Sequence, residues 1–146
     1  MTDTKEIMQK LTGKGLKVTP QRVAVYEALA TTYHPTADEI YRKVLENLPG
    51  LSFTTVYNIL DVLVTKDMAQ RVKTESDIMR YDAVTDHHHH LYCASSDRME
   101  DYFDPELDEL LQNYFEHKQP NGFKITDIKL QIMGQFEATE KKPHNK

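Results

Sequence analysis

The sequence has little cysteine, no tryptophan and no long apolar run. Cys93 is the one cysteine in 146 residues, which excludes an intrachain disulfide framework and a cysteine-rich structural zinc site. No segment approaches the roughly 20 apolar residues that span a bilayer. The first ten residues, MTDTKEIMQK, lack the apolar core of a signal peptide. We therefore expect a cytoplasmic protein without a membrane partner.

The charge is unevenly distributed. The net charge of −5 at first argues against a nucleic-acid partner. However, residues 1–82 contain 11 basic and 11 acidic residues, whereas residues 83–146 contain 7 and 12. The first 22 residues carry five basic and two acidic groups. The acidity therefore belongs to the second half, and the first half can face a polyanion.

The first half has the pattern of a winged helix-turn-helix domain. Thr19 before Pro20 and Ser52 before an apolar stripe are typical N-caps, and Thr36 with Glu39 predicts a capping box. Apolar residues recur at helical spacing after each cap. We predict helices at 4–12, 20–31, 37–48 and 52–66, then strands at 68–73 and 78–84.

The second half predicts a β-β-α-β unit, with strands at 87–94, 98–103 and 123–133 and a helix at 105–117. A unit of about 50 residues exposes sheet edges and has little core of its own, so it favours dimerisation. The predicted fold class is α+β. The predicted boundaries are a winged-helix DNA-binding domain at 1–82, a hinge at 83–84, an α/β dimerisation and metal-sensing domain at 85–136 and a disordered polar tail at 137–146.

Four of the seven histidines are consecutive, at 87–90. An expression tag is one explanation, although the run is internal, and a solvated polar strand is another. In a strand, His88 and His90 would share one face about 6.6 Å apart, and His87 and His89 the other. Such pairs, with carboxylates on both sides, suit Fe, Mn, Zn or Co. The run therefore predicts a metal site without indicating its purpose.

Five segments together resemble those of a known family: GLKVTPQR at 15–22, HPTADEIY at 34–41, TTVYNIL at 54–60, RYD at 80–82 and HHHLYC at 88–93. In this order and spacing, the chain resembles the ferric uptake regulator family over about residues 5–135. Within the family it most resembles the peroxide-responsive repressors. The resemblance implies a homodimer that binds double-stranded DNA through winged helices when a metal is bound.

The resemblance also implies a regulatory metal bound between the two domains. Its ligands would be His34, Asp82, His88, His90 and Asp101. Three imidazoles and two carboxylates suit Fe²⁺ or Mn²⁺, and Zn²⁺ can occupy such a site in purified protein. The second and fifth ligands are typically glutamates in iron sensors and aspartates, as here, in peroxide sensors. The resemblance therefore implies peroxide sensing, with oxidation of His34 or His88.

Two departures concern the family's other metals. The first of two Cys-x-x-Cys pairs is reduced to CASS at 93–96 and the second, expected after Gly134, is absent. No structural zinc is therefore expected, and Cys93 is predicted to be a small buried hydrophobe. A further site of many members would fall on His87, His89, Asp108 and residue 128. Because residue 89 is a histidine rather than the usual carboxylate, and residue 128 is an isoleucine that cannot bind metal, this second metal site is less favoured.

The DNA contacts implied by the resemblance lie mainly on helix 52–66. Asn58 can pair with adenine and Tyr57 can touch a thymine methyl group, although burial is the alternative for Tyr57. Lys17 matches a minor-groove lysine and Arg22 a phosphate contact, with an ordinary solvated charge as the alternative. The implied set is Lys17, Arg22, Thr54, Thr55, Tyr57 and Asn58, and the implied operator is an A/T-rich palindrome.

The predicted function is a metal-dependent dimeric transcriptional repressor that responds to oxidative stress by sensing peroxide. The alternative is an iron- or manganese-responsive uptake regulator without peroxide sensing. A zinc-uptake regulator is less compatible because thiolate ligands are missing. The alternative of an oxygenase or dismutase is disfavoured. An oxygenase needs open coordination positions and a substrate pocket, whereas five protein ligands leave little room and no substrate-binding motif is visible, so we expect no enzymatic activity. A DNA-binding module with a purely structural metal is a further alternative.

Overall fold

The computed structural model describes residues 3–74 and 76–137, and the chain divides after Thr85 into two units. Residues 138–146 of the predicted polar tail lie outside the described residues. Helices and small sheets are mixed, which confirms the predicted α+β class. Among the described residues, no helix is long and apolar enough to cross a membrane. The placement of a hinge at 83–84 stays a prediction.

The first unit begins with four helices: α1 (Thr4–Gly13), α2 (Pro20–Thr31), α3 (Ala37–Leu45) and α4 (Phe53–Thr65). The predicted caps form, since Thr19 and Ser52 accept hydrogen bonds from backbone N–H groups and Thr36 forms a capping box with Glu39. Helix α3 ends three residues earlier than predicted. The chain tightens there because the N–H of Asn47 donates to the carbonyl of Val44.

A continuous apolar core joins these helices. Leu11, Leu29, Ile40, Leu60 and Leu63, which come from all four helices, are at most 1% exposed. Burial of one such side chain contributes about 1.5–3 kcal/mol to folding. Because α4 buries Leu60 and Leu63 in this core, its opposite face is turned to solvent.

Two short strands follow α4 and pair antiparallel: β1 (Gln70–Val72) and β2 (Arg80–Asp82). The predicted strands at 68–73 and 78–84 are too long. Met68 belongs to the helical core, where its N–H donates to the Leu63 carbonyl, which closes α4. At the other end, the N–H of Val84 donates to the side chain of Asp82 rather than to a neighbouring strand.

The second unit contains β3 (His89–Cys93), β4 (Arg98–Tyr102), α5 (Pro105–His117) and β5 (Gln131–Met133). The sheet order is β4-β3-β5, with β4 antiparallel and β5 parallel to β3. Helix α5 is the crossover that a parallel pair requires. It runs over the predicted range because Asp104 caps it and Pro105 is its first residue.

The predicted strand at 123–133 is wrong over most of its length. Only residues 131–133 form a strand, opposite His90–Tyr92 of β3. In parallel pairing, residues before 130 would need partners before His89, and the chain is bent at residues 86 and 87. The bend also explains why β3 starts at His89 rather than at residue 87, since the Asp86 carbonyl accepts a hydrogen bond from the ring of His88.

The second unit exposes large apolar side chains. No described residue of α5 is buried, and Leu110 and Tyr114 on that helix are 65% and 55% exposed. Phe123 and the two apolar residues of β5 are exposed as well. Apolar surface of this kind is typical of a face that is covered in an assembly, which agrees with a dimerisation unit.

Candidate metal centre

His34 lies in a loop of the first unit that is fixed to β2. The Arg80 side chain donates to the His34 carbonyl over 2.7 Å, and the N–H of Tyr81 donates to the Pro35 carbonyl over 2.8 Å. His34 itself has a left-handed backbone, with φ of 46°. This conformation is uncommon for a side-chain-bearing residue and is maintained only where the surroundings impose it. The loop therefore holds the imidazole in one place.

Asp82, in β2, lies beside this imidazole. Its Oδ1 accepts the N–H of Val84, and its Oδ2 lies 3.6 Å from His34 Nε2. That separation is longer than an N–H···O hydrogen bond. Two ligands each about 2.1 Å from the same ion lie roughly 3.0–3.5 Å apart. The pair is therefore spaced much as two ligands of one cation would be.

In the second unit, three donors converge on one face of the β3–β4 hairpin. His90 lies opposite Asp101 in the strand register, and His88 precedes β3 on the same side. The Nε2 atoms of His88 and His90 are 3.2 and 3.5 Å from Asp101 Oδ1, and the centroids of the two imidazole rings are 4.7 Å apart. Strand alternation predicts this pairing, and the distances again match those between ligands of one ion.

The orientation of the His88 ring suits a metal ligand. Its Nδ1 lies 2.7 Å from the Asp86 carbonyl oxygen, which can only accept, so Nδ1 carries the proton. In the neutral ring, Nε2 is then the nitrogen with the lone pair, and it is the one directed at Asp101. Phe103 stacks on the ring and limits its rotation. Within each unit, the imidazole and carboxylate donors are of types that suit a divalent cation such as Fe²⁺ or Mn²⁺.

A second cluster brings together His87, His89 and Asp108. Asp108 Oδ1 lies 3.1 Å from His87 Nε2 and 2.6 Å from His89 Nε2. The hydrogen bonds from His89 and then His87 lower the pKa of Asp108. Sequence reasoning missed Asp127, whose carboxylate lies 3.2 Å from His87 Nδ1. The only signal was its position beside Ile128, where the family pattern places a ligand.

The turn after β3 contains hydrogen bonds of the Cys93 thiol. Cys93 is 5% exposed, which confirms the predicted burial, but its Sγ lies 3.3 Å from Ser95 Oγ and is hydrogen-bonded rather than purely apolar in its contacts. Hydrogen bonds from the hydroxyls of Ser95 and then Ser96 lower the pKa of Cys93 to about 6. The chain after β5 is tied to the hairpin by the Arg98 guanidinium, 4.1 Å from the centre of the Phe136 ring. This contact lies where the family's second cysteine pair is expected.

The solvent face of α4 carries the predicted DNA-reading residues. Thr54, Tyr57 and Asn58 are exposed, whereas Thr55 is partly buried and its Oγ1 lies 3.0 Å from Ser52 Oγ. Tyr57 is 42% exposed and stacks on Phe53. The alternative interpretation, in which Tyr57 is buried in the core, is therefore wrong. A polar and aromatic helix face of this kind can enter a major groove.

Lys17 and Arg22 form one local arrangement. Arg22 donates to the Lys17 carbonyl over 2.8 Å, across the cap of α2. The Lys17 side chain is exposed. Gly15, with φ of 76°, turns the chain into this segment, and a side chain would be strained there. Arg22 thus positions the backbone that carries Lys17 as well as supplying positive charge.

Comparison with known proteins gives consistent results. The model of the ferric uptake regulator family matches residues 13–133. The peroxide operon regulator of Bacillus subtilis is 33% identical over 144 residues, covering 98% of this chain and 97% of that protein. The peroxide-responsive repressor PerR of Staphylococcus saprophyticus is 31% identical over 125 residues, covering 85% and 82%. The solved structure of the Vibrio cholerae ferric uptake regulator superposes with a TM-score of 0.71 at 25% identity, covering 88% of this chain and 98% of that one.

Proposed function

This chain belongs to the ferric uptake regulator family, and from that premise we propose that it is a metal-dependent transcriptional repressor that senses peroxide. As a member of the family, it is a dimeric DNA-binding regulator. The observation that carries the proposal is the convergence of His88 and His90 on Asp101, with Nε2 of each ring directed at the carboxylate.

The regulatory ion is proposed to be bound by residues of both units. His34 and Asp82 are the ligands from the first unit, and His88, His90 and Asp101 are those from the second. Support comes from the donor types and from the His–Asp separations of 3.2 to 3.6 Å found within each unit. An ion shared by the two units restricts their relative orientation, and DNA affinity follows the fraction of competent protein.

Fe²⁺ or Mn²⁺ is the proposed regulatory ion, because nitrogen and carboxylate donors without a thiolate suit them. Zn²⁺ can occupy the same ligands in purified protein. Bound Fe²⁺ would supply the redox chemistry that activates peroxide. Overall, peroxide would transfer one oxygen atom to an imidazole of His34 or His88 and leave as water. Aspartate rather than glutamate at 82 and 101, and the two curated relatives that are peroxide regulators, support peroxide as the signal.

The proposed DNA partner is an A/T-rich palindromic operator. Asn58 and Tyr57 on the exposed face of α4 are proposed to read base edges, with Thr54 and Thr55 beside them. Lys17 is proposed to enter the minor groove and Arg22 to contact phosphate. We further propose that the protein acts in the cytoplasm and catalyses no reaction, since its donor set is used for ligand binding and regulation.

DNA selection followed by binding measurements tests this function. Operator DNA is selected from a random duplex pool with the Mn²⁺-loaded dimer, and binding is then measured anaerobically by fluorescence anisotropy. We expect binding with Fe²⁺ and with Mn²⁺, and loss after peroxide for the Fe²⁺ form only. A mass increase of one oxygen atom should appear on peptides containing His34 or His88. The matched variants are His90→Ala, expected to lose metal-dependent binding, and Arg42→Ala, expected to retain it.

An iron- or manganese-responsive uptake regulator is the second candidate, and Asp101→Glu separates it from the first. We expect this variant to keep Mn²⁺-dependent DNA binding and to lose peroxide sensitivity. If the unmodified chain with Fe²⁺ keeps both its DNA affinity and its histidine masses after peroxide, the uptake regulator is the correct assignment. Binding that survives chelation with the fold intact would instead indicate a purely structural metal.

A further inference from the structure

His89 uses both of its ring nitrogens in hydrogen bonds within the second unit. The backbone N–H of Leu130 donates to Nδ1 over 3.0 Å, and Nε2 lies 2.6 Å from Asp108 Oδ1. A backbone N–H can only donate, so Nδ1 is the acceptor and Nε2 carries the proton. The proton on Nε2 is then shared with the carboxylate. His89 is therefore the tautomer opposite to that of His88, its immediate neighbour.

This tautomer conflicts with metal binding at the second cluster. A metal on Nε2 would force the remaining proton onto Nδ1, where it would face the N–H of Leu130 across 3.0 Å. Two donors would then oppose each other around a side chain that is 0% exposed, which is costly in a buried site. The family's fourth ligand position is also Ile128, which cannot bind metal.

We propose that His87, His89, Asp108 and Asp127 form a metal-free histidine clamp, in which protons occupy the place of the family's further metal ion. Asp108 accepts from both histidines, and Asp127 holds the second nitrogen of His87. Asp108 lies in the first turn of α5, where the helix dipole favours an ionised carboxylate.

The clamp joins the elements that a metal would otherwise join. His89 is the first residue of β3, Asp108 belongs to α5, and Leu130 directly precedes β5. No described residue of α5 is buried, so these polar bonds are an important attachment of the helix to the sheet. The consequence is that each protomer takes up one divalent ion, at the regulatory ligands, a count that rests on the proposed function.

The tautomer itself is measured by long-range ¹H–¹⁵N NMR on the full-length metal-free dimer, with and without Zn²⁺ as a diamagnetic probe. We expect His89 to show a proton on Nε2 and a lone pair on Nδ1, unchanged by saturating Zn²⁺. His88 should show the reverse tautomer, with its Nε2 signal shifting on Zn²⁺ addition. Loss of the proton from His89 Nε2 when Zn²⁺ is added would overturn the clamp.

Metal counting by equilibrium dialysis with Zn²⁺ and with Mn²⁺ provides the second test. The unmodified protein and Asp108→Asn should each bind one ion per protomer, since the amide oxygen still accepts from His89 but is a weak ligand. His90→Ala with Asp101→Ala should bind close to none. The converse variant, His89→Asp with Ile128→His, should gain a second ion.

The outcomes separate the clamp from the proposed function. If the unmodified protein binds two ions and Asp108→Asn binds one, the clamp is contradicted. It is also contradicted if the variant His90→Ala with Asp101→Ala still binds one ion. A chain that binds no ion while His89 keeps its proton on Nε2 contradicts the regulatory site and leaves the clamp standing. A gain of no ion in the converse variant, with its fold intact by circular dichroism, would contradict the claim that His89 and Ile128 are what exclude a metal from these positions.

Discussion

Removal of the Arg80 side chain is expected to weaken metal binding although none of the proposed metal ligands is replaced. Its guanidinium donates to the His34 carbonyl over 2.7 Å, and His34 has the left-handed φ of 46°. A hydrogen bond from a charged donor contributes about 1.5–3 kcal/mol, and the left-handed backbone costs roughly 1–2 kcal/mol. In Arg80→Ala the loop therefore relaxes toward an ordinary conformation, and the imidazole leaves its place beside Asp82.

The size of the effect follows from the cost of restoring that conformation on binding. If metal binding must supply about 1–2 kcal/mol to return His34 to its left-handed backbone, affinity falls roughly 5- to 30-fold, since 1.4 kcal/mol is tenfold. The assay is Mn²⁺ competition with a fluorescent chelator, at one pH and ionic strength. Circular dichroism melts of the same samples establish that the first unit remains folded.

The matched control removes an arginine that has no part in the loop. Arg42 pairs with Asp38 at the surface of α3, with side chains 76% and 56% exposed, and such a pair contributes at most about 0.5 kcal/mol. Arg42→Ala should therefore bind Mn²⁺ within twofold of the unmodified chain. If folded Arg80→Ala also binds within twofold, the loop is not what holds His34, and the reasoning is refuted.

Three further predictions concern stability and DNA binding. Leu60→Ala should lower the free energy of unfolding of the first unit by about 2–5 kcal/mol in urea titrations, since Leu60 is 0% exposed; a loss below 1 kcal/mol would show that the site is not close-packed. The Tyr102 hydroxyl, followed by helix N–H groups, lowers the pKa of Asp104. The ionised Asp104 carboxylate therefore stabilises the second unit above the ordinary aspartate pKa of about 3.9. This stabilisation is lost as the pH falls through the lowered pKa of Asp104. In thermal melts between pH 5 and pH 2, the melting temperature should fall less steeply with pH in Asp104→Ala than in the unmodified chain. Equal pH dependence in the two proteins would contradict a stabilising role of ionised Asp104. Asn58→Ala should reduce affinity for the selected operator about 5- to 100-fold while changing binding to non-specific duplex little; an equal loss on both would show a contact to the DNA backbone instead.

Local signals predicted accurately where the capped helices of this chain begin, whereas strand length could not be predicted without knowing the pairing partners. Thr19, Ser52 and Pro105 act within one helical turn of themselves, so their effects can be read from neighbouring residues. Strand length depends on what lies opposite. The apolar alternation at 123–133 is genuine, but only residues 131–133 meet β3 in register.

Some features of the candidate site could likewise be predicted from neighbouring residues, and others depend on distant partners. The alternation that pairs His88 with His90 is a property of any extended chain, so it could be anticipated. The opposite tautomers of His88 and His89 could not, because they depend on the Asp86 carbonyl and the Leu130 N–H. The contact of Asp127 with His87 likewise arises only when the segment before β5 folds beside α5. The ligand and DNA-contact assignments themselves stay predictions until binding is measured.

The most direct test of the account is one anaerobic titration of selected operator DNA with the dimer. It is carried out with Fe²⁺, with Mn²⁺ and with chelator, each before and after a stoichiometric pulse of peroxide. We predict tight binding with either metal, weak binding with chelator, and loss after peroxide in the Fe²⁺ sample alone, together with one added oxygen on a His34 or His88 peptide. DNA affinity that is the same with metal and with chelator would contradict the account.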